Sequence, residues 1–177
     1  MSSRTLFDFS IPSAGVDWFA VDDNVMGGAS LSRLRGHPES YAVFEGRLEV
    51  QNNAGFASVR CKPFEPDLEP DVDFLLEIKG DGRRYKLILR RQDSPEGINY
   101  HAEFATTGVW ETVRIPSTAF VPRLRGRRVA NAAELDTSRV NQIGLMLADA
   151  KQGDFMLAIR QLRVERQSDA SKVNASN

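Results

Sequence analysis

The 177-residue chain is 41% apolar and 27% charged, a balance that supports a single core and excludes wholesale disorder. Its 23 Lys and Arg against 24 Asp and Glu leave a net charge of −1, so the general basic field of a nucleic-acid or acidic-membrane binder is absent and nucleic acid is not an expected partner. Cys61 is the single cysteine and His37 and His101 the two histidines, which excludes an internal disulfide and a closed structural zinc site; no metal or cofactor is called for.

Period-two alternation dominates the chain and sets the predicted elements. Strands are expected over Thr5–Ser10, Ser30–Leu34, Tyr41–Glu45, Arg47–Gln51, Gly55–Cys61 and Phe74–Lys79. Further strands are expected over Arg84–Arg91, Ile98–Thr106, Trp110–Ile115, Gln142–Ala148 and Phe155–Glu165. Gly80-Asp81-Gly82 reads as a hairpin because Gly and Asp tolerate positive φ, and Glu45-Gly46 and Thr107-Gly108 read similarly. Only short helical pieces are expected, at Ser117–Phe120 and from Asp136-Thr137-Ser138 onward. Many short strands without crossover helices argue for an antiparallel sandwich or jelly roll rather than a parallel α/β sheet. The proline- and acid-rich run Lys62–Asp71 is an exposed loop or edge crossing. One domain is expected over residues 1–165, with a loose tail at 166–177 that lacks aromatic residues. The apolar run Ile143–Ala148 is far too short to span a bilayer, and Asp8 interrupts any signal-peptide core, so a cytoplasmic protein is expected.

Three segments carry candidate chemistry. Asp22-Asp23-Asn24-Val25-Met26-Gly27-Gly28-Ala29-Ser30 is either a loop whose glycines let a ligand approach the backbone, or a glycine turn whose acids cap amides. Two adjacent Asp do not make a calcium loop, and the spacing favours the turn. Gly80-Asp81-Gly82-Arg83-Arg84-Tyr85 lacks the Lys-Ser/Thr ending of a phosphate loop and opens no helix. Arg123, Arg125, Arg127 and Arg128 form a basic patch that reads either as a solvated loop, which the near-neutral chain favours, or as a surface for nucleic acid, an acidic protein patch or anionic lipid. Arg83, Arg84, Arg90 and Arg91 are candidates to extend it. Trp18, Tyr85, Tyr100 and Trp110 are core residues of a sandwich or, alternatively, a stacking floor for sugar or base. No nucleophile, general base or carboxylate pair is singled out.

Read together, the segments resemble the complex I intermediate-associated protein family of assembly factors for respiratory NADH:ubiquinone oxidoreductase. The matching pieces include Leu6-Phe-Asp-Phe9, Trp18, Asp22 to Ser30, Phe44-Glu-Gly46, Gly55-Phe-Ala-Ser-Val-Arg60, Gly80 to Tyr85, Trp110, Arg125-Gly-Arg127 and Gly153-Asp-Phe155. The resemblance runs from about Leu6 to Glu165 and is expected to mark a bacterial member without a presequence. It implies an all-β, galactose-binding-like jelly-roll β-sandwich. It also implies a non-catalytic, chaperone-like module that holds assembly intermediates, with respiratory-complex subunits as protein partners. The alternative is a carbohydrate or small-molecule binding module of the same fold. In that setting Asp8, Asp149 and Asp154 are candidates for a structural calcium.

The expected binding residues are Asp22, Asp23, Asn24, Met26, Gly27, Gly28, Arg60, Asp81, Arg83 and Tyr85. Sandwich loops gather at the ends of the sheets, so the Asp23–Gly28 turn, Arg60 and the Gly80–Tyr85 turn are expected to form one polar patch. Arg60 should then take Asp22, Asp23 or Asp81 as its partner, and its loss should cost roughly 2 kcal/mol.

Overall fold

The computed structural model describes residues 3–52, 54–94 and 97–167, with the side chains of residues 25 and 26 outside that description; most of the expected tail therefore lies outside the described residues. The strands are β1 (Ser3–Asp8), β2 (Trp18–Ala20), β3 (Leu31–His37), β4 (Tyr41–Leu48), β5 (Ala57–Cys61), β6 (Val72–Lys79) and β7 (Tyr85–Arg91). They continue with β8 (Ile98–Phe104), β9 (Trp110–Ile115), β10 (Val121–Leu124), β11 (Arg127–Arg128), β12 (Val140–Leu147) and β13 (Gly153–Arg166). Among the described residues the helical pieces are 3-10 turns at Asp23–Met26, Ser117–Ala119 and Thr137–Arg139.

Two antiparallel sheets stack into a sandwich. The six-stranded sheet runs β3-β4-β13-β6-β9, with β1 joining β13, and the seven-stranded sheet runs β11-β10-β8-β7-β12-β5-β2. β13 organises the first of these. Its first half pairs with β4 and its second half with β1, while β6 lies along the other side with a register break between Ile159 and Gln161. Alternation decides what lies between the sheets. Tyr85, Leu87 and Leu89 of β7 point inward and are fully buried, as are Leu145 and Leu147 of β12 and Phe44 of β4. Phe44, Tyr85 and Phe155 meet edge to face at 5.0–6.3 Å between ring centroids. Each such side chain contributes about 1.5–3 kcal/mol on leaving water.

The turn signals fall where the chain bends, but not all of them mark hairpins. Gly80-Asp81-Gly82 carries the chain from β6 in one sheet to β7 in the other, and Thr107-Gly108 carries it back from β8 to β9. The two crossovers lie side by side, with Gly80 N donating to Thr107 O at 2.9 Å, and a Cβ on Gly80 would collide with Thr106. Glu45-Gly46 is not a turn at all. β4 runs through it, and Gly46 opposes Ser32 so closely that a Cβ there would enter the Leu31 carbonyl. The stretch around Arg123–Arg128 is not a bare loop, because β10 and β11 form a small hairpin on the edge of the seven-stranded sheet.

Candidate functional site

The Asp22–Ser30 segment closes on itself. Asp23 is buried; its Oδ1 accepts from Ser30 N at 2.9 Å, and its Oδ2 accepts from Ser30 Oγ at 2.8 Å and Phe56 N at 3.1 Å. Asp22, also buried, accepts from Ser32 N and Oγ at 2.9 and 2.5 Å and from Ser58 N at 3.0 Å. Gly27 ends the 3-10 turn at φ +85°, in the region glycine favours. Gly28 is packed so tightly against the Asp23 carboxylate that a Cβ would lie 2.8 Å from Oδ2. Asn24 is exposed, and the Met26 side chain lies outside the described residues. Both carboxylates are thus anchors that tie the turn to β3 and β5, the amide-capping reading of the motif.

The Gly80–Tyr85 crossover is likewise saturated. Asp81 accepts from the Tyr85 hydroxyl at 3.0 and 3.1 Å and from Met156 N at 2.9 Å. Burial and the neighbouring Asp81 push the Tyr85 phenol well above its ordinary value. Arg83 grips Asp149 through Nε at 2.9 Å and Nη2 at 2.7 Å and reaches the carbonyls of Lys151, Gly153 and Asp154. Burial opposes ionisation of Asp149, but the Arg83 bonds outweigh it and hold that carboxyl below its usual value. Asp81 borders a hollow of about 680 Å³ shared with Ser32, Arg33, Glu45, Asp154 and Phe155. Glu45 there is already held by Arg33 and Arg35.

Arg60 does not join this group. It stands on β5 opposite Phe19 and Gly144, on the outer face of the seven-stranded sheet. The acids offered to it, Asp22, Asp23 and Asp81, are taken by amides and hydroxyls, so the single polar patch does not form. Among the described residues Arg60 has no ion pair, and its Nε is buried without a hydrogen-bond partner. Burial and the charge of Arg90 lower its pKa. A register row runs from Phe19 through Arg60, Gly144, Ile88 and His101 to Val121. Lys86 and Arg90 flank it on β7, and Arg123 flanks it on β10. His101 is buried with Nδ1 unpartnered, and burial together with the charges of Lys86, Arg123 and Arg60 pushes its pKa down to about 3. Periodicity puts these side chains on one face, but nothing in it says that Glu103, the acid opposite Lys86, pairs with Arg84 instead. The only signal was the cluster of basic residues at outward positions of β5, β7 and β10.

The other candidates resolve as structure. Trp18, Tyr85 and Tyr100 are buried, and Trp110 is covered by Arg160 at 4.0 Å, so the four-aromatic stacking floor is not present. Cys61 is buried, with its thiol pushed up to about 11 by burial. Asp8 caps Ser10 and Asp149 holds Arg83, so the carboxylates named for calcium do not converge; among the described residues no three His, Cys, Asp or Glu gather. Among the described residues no helix is long and apolar enough to cross a membrane.

Two antiparallel sheets enclosing an aromatic core define a galactose-binding-like β-sandwich. The fold is shared with the family 11 carbohydrate-binding module of a Clostridium thermocellum cellulosomal cellulase, at a TM-score of 0.64 and 15% identity, over 96% of this chain and 98% of the other. The family described as Complex I intermediate-associated protein 30 matches residues 7–159, and the chain belongs to that family. An uncharacterized protein of Schizosaccharomyces pombe is 31% identical over 168 residues, 83% of this chain and 77% of its own length. A probable mitochondrial complex I intermediate-associated protein 30 of Caenorhabditis elegans is 27% identical over 152 residues; this chain spans 45% of that relative's length.

Proposed function

We propose that this domain is a non-catalytic protein-binding module that holds partly assembled subunits of a respiratory NADH:ubiquinone oxidoreductase. The family match over residues 7–159 is the observation that carries the reading. The chemistry of the side chains supports it. His101 is kept neutral by burial, the Cys61 thiol is kept protonated, and Asp22 and Asp23 are locked by amides, so none is set up as a base or nucleophile. In a cell whose respiratory chain lies in the plasma membrane, such a module works from the cytoplasm. The test is capture by the tagged chain from a gently solubilised native lysate, read by mass spectrometry. Enrichment of NADH:ubiquinone oxidoreductase subunits is expected; recovery of none of them overturns the proposal. The fold shared with the clostridial module supports a second reading, a carbohydrate module, though Phe19 would be its main exposed ring on the seven-stranded sheet. Glycan-array binding without subunit capture would favour that reading.

A further inference from the structure

Arginines on the two sheets are treated differently. Among the described residues, 11 of the 18 arginines form ion pairs with Asp or Glu. Six of the other seven, Arg60, Arg90, Arg123, Arg125, Arg127 and Arg128, belong to the seven-stranded sheet or its edge hairpin. Arg60 is the most constrained of them. Its stem crosses Gly144, where a Cβ would lie 3.1 Å from the Arg60 Cγ, and burial and the like charge of Arg90 both act against its own charge. Lys86 sits nearby, its pKa lowered by burial and by the charge of Arg123 against the opposing pull of Glu103. The acid in this neighbourhood, Glu103, is already bonded to Arg84 at 2.8 Å. Two buried polar atoms on this face, Arg60 Nε and His101 Nδ1, have no hydrogen-bond partner among the described residues. A half-buried cation left among cations costs free energy unless something outside the chain completes it.

We propose that the outer face of the seven-stranded sheet is the docking surface for an extended acidic segment of a protein partner, whose carboxylates complete Arg60, Lys86, Arg90 and Arg123. This rests on the protein-binding reading above and names the surface and the chemistry of the partner. Arginine suits the task because its planar fork takes a carboxylate through two parallel bonds. β10, β8, β7, β12 and β5 lie in sequence across the face, so at about 4.8 Å per strand the cations cover roughly 19 Å, the reach of about six extended residues. A protein segment fits better than nucleic acid. The chain carries a net charge of −1 and so lacks a long-range basic field, and Phe19 is the large exposed ring on this face for a base to stack on.

The test uses the whole chain and a fluorescein-labelled ten-residue peptide of alternating Glu and Thr, with its Gln/Thr twin as control, read by fluorescence anisotropy. At low salt the Glu peptide should bind at least tenfold more tightly than its twin and weaken about fivefold or more at 300 mM salt. Arg90→Glu, an exposed change that leaves the fold alone, should cut binding at least tenfold, and Arg60→Gln should do the same in protein shown by its melting curve to be folded. Arg33→Gln, on the other sheet, should stay within twofold. Equal binding of the twins, or unchanged binding by Arg90→Glu, overturns the proposal. So does tighter, Arg60-dependent binding of a ten-nucleotide single strand, which would make the face a nucleic-acid site. Lysate capture with Arg90→Glu separates the two levels. If the wild type captures oxidoreductase subunits and the variant captures them equally, the docking face is wrong and the protein-binding reading stands. If the wild type captures none, that reading fails, while the peptide titration still decides whether the face is acidic-peptide specific.

Discussion

The Asp22–Ser30 turn and the outer face of the seven-stranded sheet are both rich in charge, and they handle it in opposite ways. In the turn, two buried carboxylates receive six hydrogen bonds from backbone amides and serine hydroxyls, so every charge is answered from within the chain. On the face, Lys86, Arg123 and Arg60 crowd a neutral histidine, Arg90 stands beside Arg60, and the acid next to them, Glu103, is bonded to Arg84. A group satisfied by its own backbone contributes to stability, whereas one left open contributes little and is free to meet something else. The most conspicuous motif in the sequence is therefore a brace, and the functional candidate lies on ordinary alternating strands.

Four measurements sharpen or break this contrast. Asp23→Ala removes an acceptor from three donors, two of them buried, and should lower the unfolding free energy by about 4 kcal/mol in urea titrations. A loss below about 1 kcal/mol would show that the turn is not a brace. Gly28→Ala drives a methyl into the same carboxylate and should cost about 3 kcal/mol, whereas a neutral result would mean that the turn can relax. The third test is acid titration of His101. Its folded pKa of about 3 lies below an unfolded value near 6.5, so the unfolded chain takes up the proton first. Its neutral form adds stability that is present above pH 6.5 and lost as pH falls from there towards 3. Between pH 7.5 and 5 that amounts to about 2 kcal/mol, which His101→Gln should abolish; an unchanged slope in the variant would show that the imidazole is not held among those cations. The smallest effect is expected for Arg60→Met. Because Arg60 has no acidic partner among the described residues, stability should change by less than about 0.5 kcal/mol or rise, in place of the 2 kcal/mol loss expected for a paired arginine. A loss of that size would reveal a pairing on the face.

Much of the strand framework is legible along the chain. Ile98–Phe104 and Trp110–Ile115 are strands where alternation places them, and Tyr85, Tyr100 and Trp18 are core as sandwich residues should be. β2 and β11 escaped because two or three residues hold no period, and β10 was hidden by Pro122 and its arginines. Glu45-Gly46 looked like a turn because glycine marks both a bend and a close backbone approach.

The sequence by itself determined the all-β character, the inward and outward faces of most strands, and the family, because period two and ordered motifs are properties of the chain alone. The tertiary structure decided which turns cross between sheets and which acids meet which arginines. Alternation fixes the side of a strand on which a residue stands, but not the strand that lies beside it. Arg60 and Asp22 are close in register terms, since β5 carries the one and binds the other through Ser58, yet the carboxylate accepts from amides and a hydroxyl while the stem of the arginine lies across Gly144. Only the assembled sheets show that the charge on one face is answered and the charge on the other is left open.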